Sequence, residues 1–138
     1  MKLRLAMIKI YCDGGSRGNP GKSACAIVII KNETIVFEEA YFIGIATNNF
    51  AEYTGLIASM KKAIEMKEKE VEFVMDSLLV IKQMNREYEV KSENLKNLNF
   101  EANKLSSKFT KTRFTHVRRC DKFISRADYL LNCEIDRH

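Results

Sequence analysis

The chain has 138 residues, 46% of them hydrophobic and 30% charged, with a net charge of +5. That length suits one domain spanning 1–138, able to bury about two thirds of its unfolded surface, with a composition ordinary for a soluble globular protein. Charges interrupt every hydrophobic stretch, which excludes a transmembrane span, and the basic start MKLRLAMIKI lacks the long apolar core and small-residue cleavage site of a signal peptide.

The first strand is expected in IKIYCD, where Ile8, Ile10 and Cys12 alternate with Lys9 and Tyr11, and it is expected to end on Asp13. Residues 1–7 then form an N-terminal extension, with Met7 an equally natural start. Between Asp13 and Pro20 come three glycines, Asn19 and the only proline. By itself such a loop is an ordinary hairpin turn. CAIVIIKNETIVFEEAYFIG reads as two strands joined at Lys31-Asn32-Glu33, completing an antiparallel meander. From Thr47 the period changes, and Tyr53, Leu56, Ile57, Met60 and Ile64 predict a helix over about 49–66. VEFVMD is a short buried strand, and Ser77 opens a second helix carrying Leu79, Val80, Gln83 and Met84. A third helix over roughly 92–109, a last strand in TRFTHV and a terminal helix holding Ala127, Leu130 and Leu131 complete the order β-β-β-α-β-α-α-β-α. That order implies an α/β fold with a five-stranded mixed sheet, an antiparallel meander followed by strands reached through helical crossovers. Ligands in such sheets bind off the strand ends, near a topological switch point.

Four acids stand at special places: Asp13 ending the first strand, Glu52 in the first turn of the first helix, Asp76 ending the fourth strand, and Asp128 in the final helix. Singly each has an ordinary explanation, as a turn residue, a macrodipole partner, an N-cap or a solvated carboxylate. Jointly they are a cluster whose mutual repulsion makes sense if cations neutralise it. The four cysteines, Cys12, Cys25, Cys120 and Cys133, form no CxxC pair, which argues against zinc. Reduced thiols in a cytoplasmic protein are the default, and a Cys12–Cys25 disulfide stays open. From Lys104 to Arg126 eight basic residues face a single acid, Asp121, the pattern of a solvated face and equally of a polyanion-binding one.

DGGSRGNPG, TNNFAEY, DSLLVIKQM and HVRR…RAD, in this order and spacing, resemble type 1 ribonuclease H, most closely its short archaeal and bacterial branch. The resemblance runs from Ile8 to about Cys133 and implies the ribonuclease H-like fold, with helices flanking the sheet. It further implies endonucleolytic hydrolysis of the RNA strand of an RNA/DNA hybrid, leaving 5′-phosphate and 3′-hydroxyl ends. Asp13, Glu52, Asp76 and Asp128 then match the catalytic, metal-binding carboxylates of a site for two divalent ions about 3.5–4 Å apart. Asp13 would bridge, with Asp76 and Asp128 on one ion and Glu52 on the other. Oxygen-only ligands favour Mg²⁺, with Mn²⁺ as a substitute. Gly14, Gly15, Asn19, Asn48 and Asn49 match residues reaching ribose 2′-hydroxyls across the minor groove, the glycines letting the backbone approach the hybrid. Thr47 matches a residue holding a phosphate of the DNA strand, while Gln83 and Asn85 match only loosely and stay outside the catalytic set. A monomer is expected, with no membrane partner and with double-stranded RNA as an open second substrate.

The chain also departs from the family. Many members carry a histidine in a flexible loop before the last acid, thought to help product release. Here that loop reads RRCDKFIS, His116 aligns ahead of it, and the usual Asn four residues before the last acid is Ile124. The Trp-rich basic protrusion of some relatives is missing from NREYEVKSENLKN, where Arg118, Arg119, Lys122 and Arg126 are the basic residues available to compensate. A non-catalytic hybrid- or duplex-binding module on the same fold, and a detached domain of a reverse transcriptase, are the rival readings. All four acids argue against the first, and a free-standing protein is the more natural reading of the second.

Overall fold

The computed structural model describes residues 7–138. Residues 1–6, and with them nearly all of the expected N-terminal extension, lie outside the described part.

The first three strands, β1 (Ile8–Arg17), β2 (Gly21–Lys31) and β3 (Thr34–Ala46), form the expected meander. Asn32 and Glu33, both at positive φ, make the tight turn between β2 and β3, as right-twisted hairpins require. After α1 (Asn48–Glu65) come β4 (Glu70–Met75), α2 (Leu78–Met84), α3 (Glu93–Ser106), β5 (Lys111–His116) and α4 (Lys122–Asp136). The sheet order is β3-β2-β1-β4-β5, antiparallel on the β3 side of β1 and parallel on the β4 side. Mixed sheet and element order are as the sequence implies, with helix ends shifted by one to three residues.

The alternation in β1 sorts residues into two cores. Ile8, Ile10 and Cys12 join Leu56, Met60, Phe73 and Leu95 beneath α1 and α3. Tyr11 joins Val28, Val74, Ile124, Ala127 and Leu131 beneath α4. β2 is buried on both faces from Ser23 to Ile30, hence its unbroken apolar run.

One expectation needs correction. β1 does not end at Asp13 but continues to Arg17, pairing residue by residue with β2. What ends near Asp13 is the pairing with β4, whose last partners are Tyr11 and Val74. The two parallel strands part there, and Asp13 and Asp76 both lie just beyond the parting. Gly14 is part of the reason the strand can pass. A Cβ on it would sit 2.2 Å from the Ala51 carbonyl and 2.4 Å from the Glu52 nitrogen. The glycine serves the approach of α1 to the strand. At Gly15 the obstacle is only the Leu131 side chain, at 3.1 Å.

These two neighbours should therefore separate in stability. Gly14→Ala forces backbone against backbone and is expected to cost about 2 kcal/mol more than Gly15→Ala, where a leucine rotamer can give way. Thermal and urea melts of the two variants check this, and equal losses would show that α1 can retreat without penalty.

Candidate active site

Three of the four acids meet. Carboxylate oxygens of Asp13, Glu52 and Asp76 all lie within 4.8 Å of one another, brought together by β1, α1 and the residue after β4. Asp13 is 4% and Glu52 6% exposed. Asp128 stands apart from this cluster, exposed on α4, yet it lines the same cleft of about 140 Å³ with Asp13, Gly15, Asn48 and Arg119. β1, α1 and the end of β4 thus assemble a triad, and α4 supplies a fourth carboxylate at the rim.

Local structure explains each placement. Thr47 is the N-cap of α1, its hydroxyl accepting from the Phe50 N–H at 3.2 Å. Neither Asn48 nor Asn49 caps the helix, so both side chains are spared for other work. With the helix beginning at Asn48, Glu52 falls in its second turn rather than the first, facing the strand instead of the helix end. Ser77, not Asp76, caps α2 by accepting from the Val80 N–H at 3.3 Å. That leaves the Asp76 carboxylate uncommitted to the helix. Asn19 accepts from the Asn48 N–H at 3.0 Å, pinning the β1–β2 turn to the start of α1. The turn is held from the other side by Ser16, whose hydroxyl contacts the Gly18 and Ala46 carbonyls.

The electrostatics are those of crowded, desolvated acids. The Gly14 N–H donates to Asp13 at 2.9 Å and to Glu52 at 3.2 Å. Against that help, burial and then the Asp76 and Asp128 charges push the Asp13 carboxyl up to about 8. Burial and then the Asp13 and Asp76 charges hold Glu52 well above its usual range. Arg119 opposes both shifts, its guanidinium 3.8 Å from Asp76, but its side chain is 90% exposed. Without a bound cation Asp13 and Glu52 retain protons to higher pH than ordinary carboxylates. An all-oxygen, desolvated, like-charged cluster fits hard divalent cations, whose charge replaces those protons.

The remaining departures have physical causes. Ile124 is fully buried against the α4 core, so a hydrophobe takes the position where relatives place Asn. His116 ends β5, exposed and paired with Met75. Cys12 and Cys25 are free, buried thiols, and Cys25 lies opposite Gly14 rather than opposite Cys12. Sequence reasoning passed over Arg119 as a member of the cleft and Gly14 as the shared donor. The RR dipeptide ahead of the last helix was the available signal for the first.

An acid protonated in the folded chain but ionised in the unfolded one stabilises the fold at low pH. That contribution is complete below about pH 4 and is lost as pH rises through the folded value of about 8. The metal-free protein is therefore expected to lose roughly 5 °C in Tm between pH 5 and pH 8.5 relative to Asp13→Asn, and to recover it on adding Mg²⁺. Parallel pH profiles of the two proteins would contradict the raised proton affinity of Asp13.

The comparisons agree with this geometry. The reverse transcriptase-like family profile matches residues 11–130. Ribonuclease HI of Halobacterium salinarum is 37% identical over 130 residues, 94% of this chain and 64% of that protein. A bifunctional protein of Mycobacterium tuberculosis is 38% identical over 131 residues, but the chain spans only 35% of its length. Among solved structures, ribonuclease H1 of Halobacterium salinarum superposes with a TM-score of 0.91 at 36% identity, covering 96% of this chain and all of that one. The LC11 ribonuclease H1, crystallised with an RNA/DNA hybrid, gives 0.87 at 35% identity over 94% of this chain and 97% of its own. This chain belongs to the type 1 ribonuclease H family.

Proposed function

We propose that the protein is a metal-dependent endoribonuclease that hydrolyses the RNA strand of RNA/DNA hybrids. The observation that carries the proposal is the meeting of Asp13, Glu52 and Asp76 within 4.8 Å on the fold of a structure solved with that substrate. Asp13, Glu52, Asp76 and, from the rim, Asp128 are the residues that would hold two divalent ions, Mg²⁺ with Mn²⁺ as a substitute. Such ions supply an activated water and stabilise charge on the leaving 3′ oxygen, which is the route to 5′-phosphate and 3′-hydroxyl ends.

The chain's own contribution is placement. Gly14 N–H fixes the Asp13 and Glu52 carboxylates against each other, so little reorganisation is left for the reaction itself. Asn48 lines the cleft at the start of α1, with Thr47 and Asn49 exposed on either side of it in sequence. Amide side chains there suit 2′-hydroxyls, which donate and accept and separate RNA from DNA. Asn19 spends its oxygen on Asn48 and keeps its NH₂ for the ligand. Gly14 is buried and holds the carboxylates, and with Gly15 and Asn48 it also lines the cleft. Arg119 borders the cleft as an exposed cation suited to phosphates.

The exposed loop lacks an imidazole, so release of product or metal is the step expected to limit turnover. We place the protein in the cytoplasm, acting as a monomer within one domain, with double-stranded RNA as a second candidate substrate.

The test is cleavage of an end-labelled hybrid with Mg²⁺ or Mn²⁺, alongside EDTA and Asp76→Asn. Metal-dependent cuts in the RNA strand are expected to fall roughly a hundredfold or more in Asp76→Asn. Tight hybrid binding without cleavage in either metal would favour the binding-module reading instead. A single-turnover rate well above the steady-state rate is also expected. Equal rates would place the slow step in the chemistry.

A further inference from the structure

Beneath α1 runs a chain of hydrogen bonds in which each donor passes to the next acceptor. Asn103 Nδ2 donates to Asn99 Oδ1 at 3.0 Å, and Asn99 Nδ2 donates to the Tyr53 hydroxyl at 3.1 Å. Tyr53 donates to Gln83 Oε1 at 2.7 Å, and Gln83 Nε2 reaches the Glu89 carbonyl at 3.5 Å. Tyr53 is fully buried and Gln83 is 6% exposed, both inside the apolar core shared by Leu56, Met60, Met84 and Leu95. A hydrophobe would be the low-cost choice at either position, since a buried amide is tolerable only when its bonds are made. Every member is aligned in one direction, so the bonds reinforce one another and fix the amide orientations.

The chain's location tells what it does. Tyr53 follows Glu52 directly on α1. Gln83 lies in the last turn of α2, the seven-residue helix that begins two residues after Asp76. α1 packs extensively on β1 and α3 but only slightly on α2. The Tyr53–Gln83 bond is thus the main polar tie between the two helices. The far end of α2 is held a second time by Asn85, whose amide donates to the Phe114 carbonyl of β5 at 3.1 Å. A helix of this length is about 10 Å long. Fixing its C-terminal end therefore fixes the tilt of the end that carries Ser77 and Asp76.

We propose that Tyr53 and Gln83 are positioning residues for the cation site. Their hydrogen bond sets the separation of the Glu52 and Asp76 carboxylates, and so the affinity for divalent cations, while touching neither cation nor substrate. The inference rests on the metal-dependent reading above. Supports behind a metal ligand commonly change affinity about tenfold or more when removed. Here the support acts through two helices, so a threefold to tenfold loss is expected.

The test is Mn²⁺ binding by calorimetry, with thermal melts, for wild type, Tyr53→Phe and the double variant Tyr53→Phe/Gln83→Leu. Tyr53→Phe should fold, lose a few degrees in Tm, and bind Mn²⁺ roughly threefold to tenfold more weakly. Its cleavage should need correspondingly more metal, with the rate at saturating metal within about twofold of wild type. The double variant removes both ends of the Tyr53–Gln83 bond and leaves only the part-buried Asn99 amide and Glu89 carbonyl without their partners, so its Tm should recover in part while its Mn²⁺ affinity does not. Wild-type affinity in Tyr53→Phe would overturn the inference, as would affinity returning with Tm in the double variant. A wild-type protein that binds no Mn²⁺ would instead bring down the metal-dependent reading, and this inference with it.

Discussion

The Gly14 N–H donates to carboxylates from two different elements, Asp13 of β1 and Glu52 of α1. It can do so only because α1 lies against the strand at a distance no Cβ would allow. Much else follows from that close approach. It buries both acids, which raises their proton affinity and makes the cluster depend on external positive charge. It also puts α1 in register with the strand, so that Asn48 at its start lines the cleft while Glu52 in its second turn meets Asp13. Gly55, one helical turn further on, allows the same contact: a Cβ there would lie 2.8 Å from the Asp13 carbonyl. Two small residues on two facing elements thus hold α1 against β1 at the point where a pair of like charges would push them apart.

The architecture was legible because it is carried by periodicity. Alternation in β1, the unbroken apolar run of β2 and the helical spacing after Thr47 each report which faces are buried, and burial is what the sheet and its two helical layers consist of. The four acids were legible for a different reason: each breaks an apolar pattern or sits in a motif of fixed spacing. What stayed hidden concerns partners distant in sequence. Nothing near Asp13 says that β1 runs on to Arg17, because its pairing with β2 is unaffected when the pairing with β4 stops. Nothing near Gly14 says that its neighbour is Ala51, so the glycine reads as a turn or a ligand contact. Thr47, Asn48 and Asn49 are all good caps in isolation, and only the packing of α1 on the strand selects Thr47.

The buried polar chain from Asn103 to Gln83 illustrates a further limit. Gln83 has the spacing of a core residue on α2, and its burial on that face is as periodicity predicts. Its chemistry is not. A buried amide is meaningful only with its partners known, and those are Tyr53 on α1 and the Glu89 carbonyl beyond α2.

The loop before α4 shows two demands competing for one stretch of chain. Asp121 caps the helix, accepting from the Phe123 and Ile124 N–H groups at 2.9 and 3.1 Å, and that fixes Ile124 facing inward. There it fills the core between α4 and the sheet, and a polar side chain would be buried without a partner. The polar groups this stretch presents are instead the exposed cations ahead of the cap. Of the arginines lining the cleft, Arg17 is engaged by Asp136 and Asn132, which leaves Arg119 to face the acids. At 3.8 Å from Asp76 and largely in water, its charge is screened by solvent and salt. A screened monovalent charge at the rim cannot neutralise two buried carboxylates at the centre. Arg119 softens the repulsion of the metal-free site without replacing the cations, which is the balance a site needs if it is both to fold empty and to bind them.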